Sequence, residues 1–173
     1  MLHKSDIIPM PQFFDRYINL VEDIHIFEAF DTYTPERIYS DLSSLNALGD
    51  RVYEPGKWTV KDILQHVIDN ERIMSYRALR FSRNDTTVLP GYDEQWLAKN
   101  TNASNRTLES LLTEFNQVRI STVALFKGMS EEMMMRSGRA YTSEISALAL
   151  GFVIVGHAIH HMNVLEQRYF PIL

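Results

Sequence analysis

The sequence contains no cysteine. That excludes disulfides, cysteine-ligated zinc and a cysteine nucleophile of the chain's own, and it accords with a reducing cytoplasm. Nor is there an excess of positive charge: 22 acidic residues outweigh 17 lysines and arginines, for a net charge of −5. A chain of that sign has no general attraction for nucleic acid or an anionic membrane, so neither is expected as a partner. No apolar run reaches the roughly 20 residues of a membrane-spanning helix. The longest, 147–156, suits a buried core helix. The opening Met-Leu-His-Lys-Ser-Asp-Ile-Ile lacks the apolar stretch of a signal peptide. No strand-like alternation, internal repeat or low-complexity tract stands out.

What is present is an ordinary globular balance, 45% hydrophobic and 23% charged over 173 residues, enough for one domain (1–173) with a sizeable core. Apolar residues recur at helical spacing in four long stretches. Phe13, Tyr17, Leu20, Val21, Ile24 and Phe27 mark a first helix over Pro9 to Phe30, with His25 beside the stripe as a packed or surface residue. Thr34-Pro35-Glu36 opens a short helix up to about Leu48. Thr59 and Asp62 form a capping box for a long helix whose face carries Val60, Ile63, Leu64, Val67, Ile68 and Met74. A third long helix begins at Ser104 or Asn105 and stops before Gly128. The last runs from a Ser143 cap to Tyr169, after a loop over Ser137 to Thr142. Leu89-Pro90-Gly91-Tyr92 is a turn signal, and Asp93 to Asn100 is one or two helical turns that could roof a pocket. Four long helices make an all-α four-helix bundle the natural solution.

His157 and His161, four residues apart on the last helix, sit about 40° apart around its axis, one turn above the other. Two imidazoles so placed can reach one metal ion. His66, on the second long helix, supplies a third ligand. His160 competes for the role but has the poorer angular match to His157, which places it at the flank. Neutral imidazoles suit zinc first, with nickel, iron or manganese as alternatives. Three ligands leave a position open for water, which can become a hydroxide near neutral pH, or for the thiolate of an external thiol. Asp62 and Asn70, four residues either side of His66, share its face and are candidates to orient a ring, as is His160. Arg77, Arg80 and Arg83 recur at three-residue spacing. Their ordinary reading is a solvated face. The functional one is an anion clamp on a substrate, for which Arg77 and Arg80 are the candidates.

These residues resemble one family. The segments Trp58-Thr-Val-Lys-Asp-Ile-Leu-Gln-His66-Val-Ile-Asp69 and Gly156-His157-Ala-Ile-His160-His161 look like those of the DinB/YfiT-like metalloenzymes, as do Tyr76-Arg-Ala-Leu-Arg80 and Leu89-Pro-Gly-Tyr-Asp93. The resemblance implies an up-down-down-up bundle with a long crossover between the second and third helices. It implies a histidine triad at His66, His157 and His161, and in many members a homodimer. It implies a metal-dependent enzyme acting on a small-molecule substrate, either a hydrolase or an S-transferase using a low-molecular-weight thiol. The alternative is a non-catalytic metal- or ligand-binding module, since no general base is identifiable and the catalytic residues stay unassigned.

Overall fold

The computed structural model describes residues 1–173. The chain passes through α1 (Asp15–Ile18), leaves helical geometry over 19–25, and re-enters it in α2 (Ile26–Thr32). The continuous helix expected from Pro9 to Phe30 is therefore broken, because the N-terminus bonds to the break. Lys4 Nζ donates to the Val21 carbonyl, Ser5 N–H to Asp23 Oδ1 at 2.9 Å, and Ile26 N–H to the Leu2 carbonyl at 3.1 Å. His25 caps α2, accepting from Phe27 N–H at Nδ1. Thr34 caps α3 (Pro35–Ile38) and Asp41 caps α4 (Leu42–Leu48). The one short helix expected here is two, parted where Tyr39 turns inward and donates its hydroxyl to the Ala158 carbonyl at 3.1 Å.

The Thr59–Asp62 capping box starts α5 (Val60–Ser82) as expected. The chain then crosses over through α6 (Glu94–Lys99) to α7 (Leu108–Lys127), which Thr107 caps rather than Ser104 or Asn105. After α8 (Glu131–Met135) comes a hairpin of β1 (Ser137–Ala140) and β2 (Ser143–Ser146), where a loop was expected. Its register pairs Ser137 with Ser146 and Ala140 with Ser143. The hairpin lies on the end of α5: a Cβ on Gly138 would come within 2.0 Å of the Phe81 ring. Leu89 of the crossover bonds to its rim, donating to the Arg139 carbonyl and accepting from Tyr141 N–H. Ser146, not Ser143, caps α9 (Ala147–Val164), which continues through a wider turn at Leu165–Tyr169.

Contacts fix the helix directions. Ile26 meets Gly151 and Tyr39 meets Ala158, so α2–α3 runs with α9. Arg72 pairs with Glu114 and Ser75 with Thr122, so α5 runs with α7. His66 meets His161, and the Tyr169 hydroxyl donates to the Trp58 carbonyl at 2.6 Å, so α9 opposes α5. The first bundle member is thus α2–α3, while α1 lies across α9. Arg119 ties three elements together. Its guanidinium donates to both oxygens of buried Glu71 on α5, at 3.0 Å each for the closest pairs, and to the Tyr33 carbonyl after α2 at 2.8 Å.

Two buried clusters fill the bundle. One joins α1, α2 and the hairpin to the first half of α9. The other joins α4 and the first halves of α5 and α7 to its second half. The helix α9 is long and apolar enough to cross a membrane by composition, yet 72% of its most apolar window is buried against these partners. His157 stands where one cluster gives way to the other, between Val155 and Ala158.

Candidate metal centre

The Thr59 cap sets where α5 begins, and the apolar Val60, Ile63, Leu64 and Val67 turn one side of its first half into the core. His66 falls on that side, 7% exposed, with the Trp58 ring packed at 4.7 Å from its own. From the opposing α9, His157 and His161 project one turn apart, with ring centroids separated by 4.5 Å. The three Nε2 atoms converge: His157 Nε2 lies 3.1 Å from that of His66 and 3.2 Å from that of His161. With metal–nitrogen distances of about 2.0–2.1 Å, tetrahedral ligands are separated by about 3.4 Å and those on an octahedral face by about 2.9 Å. These two spacings fall between those values, and the ligand nitrogens of all three residues lie within 4.8 Å of one another, so the three can hold one ion.

Their charge state fits as well. Burial pushes the His66 pKa down to about 4, and burial followed by the neighbouring rings pushes His157 and His161 well below the ordinary value. All three are neutral at pH 7, with lone pairs available, as metal binding requires. No carboxylate belongs to the cluster. The ring of Tyr17 meets both His157 and His160 edge-on, at 5.1 and 5.3 Å. His157 Nδ1 is buried with no protein partner.

The expected orienting groups are elsewhere. The Asp62 carboxylate accepts from Thr59 N–H and Oγ1, at 3.0 and 2.7 Å, and serves the helix cap rather than an imidazole. Asn70 donates from Nδ2 to the Tyr92 hydroxyl at 2.7 Å. His160 is half-buried beside Tyr17 at the flank of the triad.

A cavity of about 590 Å³ opens against His157. Asn70, Met74 and Arg77 of α5 form one wall, and Tyr92 with the start of α6 forms another. Phe13 and Tyr141 stand at its exposed rim, 61% and 70% accessible. Arg77 is 6% exposed and has no carboxylate partner; it donates to the Pro90 carbonyl at 3.1 Å. Arg80 is not part of this wall. It pairs with Asp85 and Tyr76 instead. Arg83 caps the end of α5. A smaller cavity of about 210 Å³ touches His161, walled by Trp58, Tyr53 and Tyr169. Gln95 of α6 borders both. The sequence places Tyr17 in the first apolar stripe, Tyr92 in a turn signal and Gln95 in the helical turns expected to roof a pocket, and nothing in it assigns any of the three to the site.

A protein of Oceanobacillus iheyensis named "Putative metal-dependent hydrolase" is 27% identical over 147 residues, 82% of this chain and 83% of its own. The solved structure of YfiT from Bacillus subtilis, described as a probable metal-dependent hydrolase with an unusual four-helix bundle topology, is similar with a TM-score of 0.66. That likeness spans 92% of this chain and 87% of YfiT at 16% identity, and it establishes the four-helix bundle fold. Residues 33–165 match the model of the DinB superfamily, and with most of its length matched the chain belongs to that superfamily.

Proposed function

We propose that this chain is a metal-dependent hydrolase of small molecules, with one divalent ion held by Nε2 of His66, His157 and His161. The observation that carries the reading is the convergence of three neutral imidazoles, two buried and one half-buried, beside a cavity large enough for a small organic substrate. The names of the Oceanobacillus and Bacillus relatives support it. Zinc is the first choice of ion for an all-histidine donor set. When bound there, such an ion supplies a Lewis acid and lowers the pKa of a coordinated water towards neutrality.

The chain supplies the rest. Trp58 covers the His66 ring and keeps water from that side. Tyr17 fixes the plane of His157 by edge contact. Arg77, buried and without an acidic partner, holds an anionic group of the substrate.

A second reading keeps the site and replaces water by an external low-molecular-weight thiol. The separate cavity at His161 favours it, since two reactants could approach the triad from different sides. Elemental analysis of untagged protein, followed by an ester and amide panel with and without thiols, tests both. One ion per chain with thiol-independent hydrolysis is expected. Turnover only with thiol would select the second reading. A loaded protein with no turnover would leave a metal- or ligand-binding module, and no ion even after incubation with zinc would overturn the metal site.

A further inference from the structure

Asn70 has a buried atom that no residue satisfies. The side chain is 6% exposed; its Nδ2 is committed to Tyr92, and its Oδ1 has no hydrogen-bond partner. Leaving such an oxygen unpaired is costly, because it has given up its hydrogen bonds to water. A buried polar group kept on those terms calls for a role beyond packing. The residue lines the larger cavity, next to the triad rather than in it.

Its neighbours along α5 give the rest of the pattern. His66, Asn70, Met74 and Arg77 follow at intervals of four, four and three, and so share one helix face. At a rise of 1.5 Å per residue, Asn70 sits about 6 Å along the axis from His66, and Arg77 about 16 Å. The Arg77 side chain leans back towards the helix start, bringing Nη1 within 3.7 Å of Met74 Sδ. The α5 wall of the cavity thus offers, in order, an acceptor without a partner, an apolar thioether and a cation without an anion, with His157 of the triad lining the same cavity from α9. At the rim, Phe13 and Tyr141 hold left-handed backbones, φ 74° and 54°, which are costly for aromatic residues. Strain of this kind collects at ligand sites, and here it sets two rings over the same opening.

We propose that the cavity takes an elongated amide acid. Its carboxylate pairs with Arg77, its amide N–H donates to Asn70 Oδ1, a methylene chain between them lies over Met74, and its acyl end faces the histidines. This rests on the triad being a metal site and names the substrate class for it. It also sets an order: the anion lies remote from the reacting carbonyl, with the chain between.

The test is calorimetric titration of zinc-loaded protein with three probes. N-acetyl-6-aminohexanoate carries both groups, N-acetyl-N-methyl-6-aminohexanoate lacks the N–H, and N-hexylacetamide lacks the carboxylate. Wild type is expected to bind the first at least about tenfold more tightly than either of the others. Asn70→Leu should erase the difference between the first two probes. Arg77→Met should erase the difference between the first and third. Both variants should retain one zinc per chain. Equal binding of all three probes by wild type, or no binding of the first, would overturn the proposal. Zinc bound at one per chain would then leave the metal reading standing. Absence of zinc from wild type would instead sink that reading, and the proposal with it.

Discussion

The backbone carbonyl of Tyr17 occupies the space where Gly156 would carry a side chain: an ideal Cβ there lies 2.0 Å from that oxygen. The approach brings α1 down onto α9 one residue before His157, and it delivers the Tyr17 ring to the His157 edge. Gly156→Ala must therefore push the two segments apart. Backbone cannot yield as a flexible side chain does, so a loss of about 3 kcal/mol is expected, at the upper end for overpacking. Urea unfolding of the metal-free protein checks this, and zinc affinity should fall in the same variant.

Arg119 and Glu71 form a second fixed point. Both side chains are almost wholly buried, and breaking such a pair from one side leaves an uncompensated charge, worth about 3–5 kcal/mol. Glu71→Ala and Arg119→Ala should each destabilise by that order in chemical denaturation. The double variant should cost much less than the sum of the two. A strictly additive cycle would show that the pair is not a unit.

Tyrosine burial sets the alkaline limit. Burial raises the Tyr39 pKa far above the ordinary tyrosine value, and raises that of Tyr169 to about 12, while both hydroxyls donate to carbonyls. A raised folded-state pKa means that the unfolded chain releases protons first. Stability is therefore intact below about pH 10 and falls as pH rises beyond it. Tyr39→Phe should lose about 1 kcal/mol at pH 7 through its hydrogen bond, and should show a flatter decline between pH 10 and 12. Thermal or urea unfolding across that range measures both.

Metal removal gives the fourth expectation. An ion that binds only the folded chain stabilises it by about 2.7 kcal/mol when free metal is a hundredfold above Kd. Chelation should lower the unfolding midpoint of wild type accordingly. His161→Ala should unfold at nearly the same point with or without chelator. A midpoint in wild type unmoved by zinc or chelator would contradict the site.

The parts readable from sequence were those governed by local rules. The Thr59–Asp62 box, the Thr34 cap and the His157–His161 spacing all depend on residues within one helical turn of each other, and the structure has them. That His66 meets the pair followed from helix faces and from family likeness together. What escaped depends on partners distant along the chain. The break after α1 is made by Lys4 and Ser5, which no apolar period records. The stripe through Phe13 and Leu20 was misleading, since both are exposed, while Phe14 and Ile18 are buried. Asn70 shares the face of His66, which makes it a candidate to orient an imidazole, but its Nδ2 donates to Tyr92 of the crossover instead. Glu71 is buried against Arg119, a partner 48 positions away that no local rule records.

The separation of 91 positions between His66 and His157 has a kinetic side. Joining them closes a long loop, and such contacts form late because the entropy of closure precedes any reward. An ion bridging the two helices therefore strengthens contacts that the folding transition state still lacks. Its effect falls on the rate of unfolding and little on the rate of folding. Zinc should act on this chain as a latch on the finished bundle, lengthening the lifetime of the native state without hastening its arrival.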